Sequence, residues 1–256
     1  MADELDRSRI PRHIGIIMDG NGRWANARGF ERTVGHAAGE QSIFETIDDC
    51  LELGVDWLTV YAFSTENWNR PDDEVDFLMA FNESLLVRHR DEVAEKGIRL
   101  HFVGLSEDDR VPARVVERMA ESERVTSKNS RMHVVFAFNY GGRSEIVEAV
   151  RSIAGDVAAG TLDLGDVDEN AIGRRLYLPD MPDPELIIRT SGEQRISNFL
   201  LWQSAYSELV FTPVLWPDFD RAALIDCLVE YQGRSRRFGG VSSAEDASSA
   251  EDGAQQ

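Results

Sequence analysis

A chain of 256 residues with 42% apolar content is long enough for one α/β domain with a substantial core. Its net charge of −19 opposes nonspecific nucleic-acid binding and docking on anionic lipid. No run approaches the roughly 20 apolar residues of a spanning helix, the start Met-Ala-Asp-Glu-Leu-Asp lacks the basic and apolar regions of a signal peptide, and Cys50 and Cys227 are too few for a disulfide framework or zinc site. The expectation is a cytoplasmic protein with reduced, structural thiols. Among the 27 basic residues only Lys96 and Lys128 are lysines. So acidic a surface fits a high-salt cytoplasm, where self-repulsion is screened, and favours a halophilic archaeal source over an ordinary acidic mesophile protein.

In chain order, residues 1–12 read as a loose N-terminal arm, and Ile14 to Met18 as a buried strand that switches at once into the turn Asp19-Gly20-Asn21-Gly22-Arg23. Asp19 then sits at the carboxyl end of a strand, the edge where open α/β sheets bind ligands. Gly20 and Gly22 allow close backbone approach, Arg23 adds fixed positive charge, and Asp19 can hold a hard cation shared with phosphate. The bottom-up reading is a Mg-diphosphate cradle, and on local pattern an ordinary strand-to-helix turn stays open beside it. A helix follows from Arg23 and a longer one from about Thr33 to Leu53, closed by Gly54. Arg32 and His36, four apart, share a helix face able to grip one anion. A lone His36 would otherwise be a neutral, hydrogen-bonded histidine.

Trp57 to Phe63 is a second strand, with Ser64-Thr65-Glu66-Asn67-Trp68-Asn69-Arg70 at the same carboxyl edge. Pro71-Asp72-Asp73-Glu74-Val75-Asp76 reads as a solvated helix start, its acids favoured by the helix dipole. Val75, Leu78, Met79, Asn82, Leu85 and Leu86 mark a mostly apolar stripe, either core or the lining of an apolar tunnel, on a helix running to about Lys96. Strands at 98–103 and 132–138 flank a charged helix at about 109–124, and Asn139-Tyr140-Gly141-Gly142-Arg143 turns into a helix from Ser144 to about Ile153. After a polar stretch and a proline-rich turn comes a short strand, Leu186 to Ile188, and at its end Arg189-Thr190-Ser191-Gly192-Glu193-Gln194-Arg195-Ile196-Ser197, a second oxyanion-binding cluster. Phe199 to Tyr206 reads as helical, Leu209 to Thr212 as the last strand, about 218–232 as the last helix and 241–256 as a disordered acidic tail. Strands separated by helices predict a mostly parallel sheet.

Four stretches, HIGIIMDGNGRWA from His13, YAFSTENWNRP from Tyr61, FNYGGR from Phe138 and IIRTSGEQRISNFLLWQ from Ile187, resemble in order the blocks of the cis-prenyltransferases, the undecaprenyl and dehydrodolichyl diphosphate synthases. The resemblance spans roughly residues 10 to 240. It implies a single α/β catalytic domain at 13–240, with a mostly parallel sheet of about six strands flanked by helices. The implied reaction adds isopentenyl diphosphate units in cis to an allylic diphosphate primer. That primer is farnesyl diphosphate or, given the archaeal reading, geranylgeranyl diphosphate, and the product is a polyprenyl diphosphate of the undecaprenyl type, precursor of a glycosyl carrier lipid. It further implies Mg²⁺ dependence, a homodimer and a loose membrane contact for product release. Residue by residue, Asp19 would hold Mg²⁺ and share catalysis with Asn67. Gly20, Asn21, Gly22, Arg23, Trp24, Arg32 and His36 would bind the primer, with Ser64, Thr65, Glu66, Trp68 and Arg70 lining the site, Trp68 alternatively as packing. Arg189, Arg195, Ile196 and Ser197 would hold isopentenyl diphosphate, and Glu208 would be a second Mg²⁺ contact, reaching it from the partner subunit. Arg237-Phe238-Gly239 resembles an element lent to a neighbouring active site.

Asn67 is a neutral amide, not a useful base, so orientation is its more natural role. Asp72, Asp73 and Asp76 spell the aspartate-rich pattern of the trans-prenyltransferases, a decoy here because a second such motif is missing. A noncatalytic subunit of a heteromeric prenyltransferase is the runner-up, opposed by the filled Asp and Arg positions. A nucleotide-phosphate enzyme is opposed by the lack of a Walker lysine motif or a complete Gly-x-Gly-x-x-Gly.

Overall fold

The computed structural model describes residues 5–105 and 108–234 and holds one six-stranded, wholly parallel sheet. Its strands are β1 (His13–Ile17), β2 (Trp57–Ser64), β3 (Ile98–Val103), β4 (Met132–Tyr140), β5 (Leu186–Arg189) and β6 (Glu208–Phe211), in the order β3-β4-β2-β1-β5-β6. Every residue of β1 and β5 is buried, as parallel strands covered on both faces require. The helices are α1 (Asn21–Ala27), α2 (Arg32–Leu53), α3 (Asp72–Glu95), α4 (Ala113–Thr126), α5 (Gly142–Ala158), α6 (Glu169–Gly173) and α7 (Arg221–Gln232). Gly54 closes α2 at φ 85°, and the Asp220 carboxylate caps the first turn of α7.

Alternation along β1 sorts the core. Ile14 and Ile16 face a layer built from Ile43, Ile47 and Cys50 of α2, Leu85 and Val93 of α3, and Leu224 and Leu228 of α7. Ile17 faces the opposite side, with Met181, Phe199 and Leu200. On that side Gly15 leaves space for Phe199, whose ring lies 3.1 Å from where a Cβ would stand.

Two sequence expectations change. Phe199 to Tyr206 forms consecutive turns, not a helix, because Ser197, Asn198 and Leu200 take left-handed backbone angles of 47°, 65° and 44° that break helical hydrogen bonding. Residues 5–12 of the expected loose arm are docked: the Gln232 side chain accepts from Asp6 N and donates to Asp6 O and Arg9 O, and Leu5 and Ile10 pack on the core. The acidic tail at 241–256 and Arg237-Phe238-Gly239 lie outside the described residues.

Candidate active site at the carboxyl edge of the sheet

β1 and β5 are neighbours whose following connections leave in opposite directions, to β2 on one side and β6 on the other. That reversal opens a crevice at the carboxyl edge, where α/β sheets take ligands. Asp19 lies just past β1, and Thr190, just past β5, fastens the two ends together. The Asp19 N–H donates to Thr190 Oγ1 (2.8 Å), and that hydroxyl donates to the Asp19 carbonyl (2.6 Å). The Arg189 guanidinium, its side chain 5% exposed, donates to the Asp19 carboxylate at 2.8 Å, to Ser197 Oγ at 2.7 Å and to the Arg195 carbonyl at 2.6 Å. Two clusters 170 positions apart in sequence thus share one ion pair. Half-burial pushes the Asp19 carboxyl up, but the Arg189 hydrogen bond and the charges of Arg189 and Arg23 outweigh it and hold the pKa below the ordinary carboxylate value.

The other flank of Asp19 is cationic. Gly20 at φ 114° turns the chain into α1, and the Arg32 guanidinium lies about 3 Å from where a Cβ on Gly22 would stand, so the glycine admits it. Arg23 donates to the Ser191 carbonyl and lies 3.4 Å from Asp19. Arg32 and Arg70 converge on Glu74, a buried acid in the first turn of α3. The solvated reading of that turn is right for Asp72, Asp73 and Asp76, which are exposed, and wrong for Glu74. Burial first, then the Arg70 charge, lowers the His36 pKa to about 4, so the imidazole is neutral at pH 7.

Three clefts meet here. One is bordered by Asp19 to Arg23, Arg32, His36 and Arg70; the second by Asp19, Ser64, Glu66, Asn67, Arg189, Arg195 and Ser197. The third runs inward between α2 and α3, past Ile43, Leu78, Phe81, Leu85 and Phe136. Met18 and Arg70 border all three. Leu85 and Phe136 also border a smaller apolar space beyond, beside Phe44, Ile47 and Val93, so they partition the two. Asn21 Oδ1 and Arg189 Nε are buried here without a hydrogen-bond partner, polar atoms left open to a ligand at this edge.

Trp24, Thr65, Trp68 and Ile196 do not border these clefts. The Trp24 indole donates to Asp218, and its ring lies under Arg28, so it anchors α1. Trp68 packs against Phe63 and donates to Asn139, the packing alternative. Ile196 packs beneath the loop against the second core cluster, and Thr65 lies against Gly141. Glu208 opens β6 beside Leu186, which lies beside Ile14, so it stands at the opposite edge of the same chain's sheet, roughly 15 Å along the strands from Asp19. Its carboxylate pairs with Arg234 at 3.0 Å; within one chain Glu208 and Asp19 cannot share a cation.

Met18, Tyr61, Glu74 and Asn198 are site residues that sequence reasoning passed over. Tyr61 lies beside a bulge in the β2–β4 ladder, and its hydroxyl donates to the Tyr140 and Ser197 carbonyls. Asn198 accepts from Gly142 N and Arg143 N, so the Gly141-Gly142-Arg143 turn braces the Ser197 loop. The paired glycines were the available signal. Among the described residues no group of three or more His, Cys, Asp or Glu is placed to hold a metal. One carboxylate beside two anion-binding clefts still fits Mg²⁺, which keeps several waters and takes its remaining ligands from substrate phosphates.

A family model for undecaprenyl diphosphate synthases, Prenyltransf, matches residues 17–239. The chain is 51% identical over 238 residues (93% of this chain, 84% of the relative) to a trans,polycis-polyprenyl diphosphate synthase, (2Z,6E)-farnesyl diphosphate specific, of Thermobifida fusca. It is 49% identical over 230 residues (90% and 89%) to a ditrans,polycis-undecaprenyl-diphosphate synthase, (2E,6E)-farnesyl-diphosphate specific, of Xylella fastidiosa. The crystal structure of lavandulyl diphosphate synthase from Lavandula x intermedia, in complex with dimethylallyl diphosphate, superposes with a TM-score of 0.86 at 38% identity, covering 90% of this chain and 98% of that one. The curated relatives are bacterial and do not support the haloarchaeal expectation; surface charge reports the solvent a protein tolerates, not its lineage. The match across nearly the whole domain, on a sheet whose carboxyl edge carries the two arginine-bordered clefts, makes the chain a member of the undecaprenyl diphosphate synthase family, the cis-prenyltransferases.

Proposed function

We propose that this prenyltransferase extends an allylic diphosphate, farnesyl or geranylgeranyl, with isopentenyl diphosphate in cis, to a long polyprenyl diphosphate of the undecaprenyl type that serves as precursor of a glycosyl carrier lipid. The observation that carries the reading is the 2.8 Å Arg189–Asp19 pair, because it sets two anion clefts side by side at the mouth of a channel that is polar at its entrance and apolar on its inner wall. Gly22, Arg32, His36 and Arg70 hold the primer's diphosphate, and its tail lies between α2 and α3 against Ile43, Leu78 and Leu85. Arg189, Arg195 and Ser197 hold the isopentenyl diphosphate. Neutral His36 donates one hydrogen bond without adding charge.

Asp19 would hold Mg²⁺, which when bound would neutralise charge on the departing diphosphate. The allylic C–O bond breaks with its electron pair leaving on pyrophosphate, the new C–C bond forms to the isopentenyl double bond, and a proton leaves C2 of that unit. The Asn67 side-chain oxygen already accepts from Ser64 N at 2.9 Å, so Asn67 turns its N–H donors to the substrate and orients it; phosphate or water takes the proton. By family resemblance the enzyme is a cytoplasmic homodimer touching the membrane for product release, with Glu208 contributing across the subunit interface. No helix among the described residues is long and apolar enough to cross a membrane.

The test is incorporation of labelled isopentenyl diphosphate with farnesyl or geranylgeranyl diphosphate as primer, with and without EDTA, and thin-layer analysis of the dephosphorylated product. Absence of metal-dependent incorporation with either primer refutes it.

A further inference from the structure

Glu74 has one of the most buried carboxylates in the protein, yet it lies at the start of a helix, where acids are ordinarily solvated. Its two oxygens collect donors from two segments: Arg32 at the start of α2 gives Nε and a terminal nitrogen at 3.1 and 3.3 Å, and Arg70, just before α3, gives a terminal nitrogen at 2.9 Å. His36 Nε2 stands 3.6 Å away, too far for a hydrogen bond, and makes none to any other protein atom. Arg32 and Arg70 are long side chains on separate elements, and each would otherwise lose rotamer entropy on meeting a ligand. Because Glu74 takes only part of each fork, donors remain on both guanidiniums, and the Arg32 guanidinium lies against Gly22 at the cleft.

We propose that Glu74 is a positioning residue for the allylic substrate: a buried carboxylate that holds Arg32 and Arg70 in one fixed array across α2 and α3 so that their free donors meet the primer's diphosphate. It rests on the reading of Arg32, His36 and Arg70 as the primer's anion site. The isopentenyl side is held by Arg189, Arg195 and Ser197, none of which bonds to Glu74; of the two arginines that Glu74 holds only Arg70 also borders that cleft, so the larger effect falls on the primer.

Glu74→Asp keeps the charge but withdraws the carboxylate by one methylene; Glu74→Gln keeps the shape but not the charge. Steady-state KM for farnesyl diphosphate, KM for isopentenyl diphosphate and the inhibition constant of inorganic pyrophosphate against the primer are measured on both. Expected are rises of about tenfold or more in the primer KM and the pyrophosphate constant, with a clearly smaller rise in the isopentenyl KM. A normal primer KM in Glu74→Asp, equal rises in both KM values, or a lower primer KM in Glu74→Gln overturns the proposal, the last because the carboxylate would then compete with the substrate. Loss of folding in both variants also overturns it, since the role would be structural. Arg32→Ala separates the two levels: an unchanged primer KM there removes the underlying site reading, whereas a raised one beside a normal Glu74→Asp removes only the role of Glu74.

Discussion

Replacing Arg189 with methionine keeps most of the side-chain volume and removes every donor at the point where the two clefts join. Arg189 is almost fully buried and makes three close hydrogen bonds, to Asp19, Ser197 and the Arg195 carbonyl. A hydrogen bond to a charged group contributes about 1.5–3 kcal/mol net. The carbonyl and hydroxyl can turn to water, and Asp19 is 30% exposed with Arg23 at 3.4 Å, so the full cost of an orphaned buried charge does not apply. A loss of about 2–3 kcal/mol follows, which for a chain of this size lowers the thermal midpoint by roughly 5–10 °C. On the substrate side, losing a buried guanidinium that faces a diphosphate costs about 3 kcal/mol, or roughly a hundredfold in the KM for isopentenyl diphosphate. The primer KM should move no more than a few-fold. The same variant removes the main opposition to the burial of Asp19 and leaves Arg23 to offset only part of it, so its pKa rises and the acid limb of the pH–rate profile moves to higher pH. Steady-state kinetics with each substrate varied in turn, beside calorimetry, read all three effects. An unchanged isopentenyl KM, or a primer KM that rises instead, would refute the assignment of the second cleft.

Asp19→Ala should abolish turnover while the circular dichroism spectrum stays native; near-normal activity would remove Asp19 from the mechanism. Gly35→Ala would place a Cβ 2.0 Å from the Asn21 carbonyl oxygen, so α1 must shift on α2, with about 1–3 kcal/mol lost and a raised primer KM, read by denaturant titration and kinetics. Phe136→Ala should join the two apolar spaces between α2 and α3 and lengthen the product on thin-layer plates, and an unchanged product would place the tail elsewhere. His13, His36 and His101 have pKa values lowered to about 4, led in each case by burial. Between pH 6.5 and about 4 the unfolded chain binds protons that the native state refuses, so stability is full above pH 6.5 and falls as the pH drops through that window. The urea midpoint should track it, with a shallower dependence in His13→Asn.

Strand positions were legible because a parallel strand buried on both faces must be a short, continuous apolar run, and Ile14 to Met18 and Leu186 to Ile188 are such runs, while the edge strand Ile98 to Val103 interleaves Arg99 and His101 with apolar residues. The Asp19 and Arg189 segments were legible as strand ends for the same reason, and from strand ends their place at the ligand edge followed. Local pattern failed at Phe199 to Tyr206, where apolar residues read as a helix but left-handed backbone at Ser197, Asn198 and Leu200 breaks it. It failed at Glu74 too, since its letters match those of its exposed neighbours, and only Arg32, brought from another element, makes it a buried clamp.

The sequence by itself determined the strands, most of the helices and the family, because periodicity, turn residues and motifs act within a few positions of the chain. Tertiary structure alone decided that β5 lies beside β1, that Arg189 therefore bonds to Asp19, that Glu208 faces the other edge, and that Trp24 and Trp68 stand off the three clefts. Those outcomes depend on which strands pair and which faces meet, and pairing across 170 residues is settled by the fit of whole surfaces rather than by any local run.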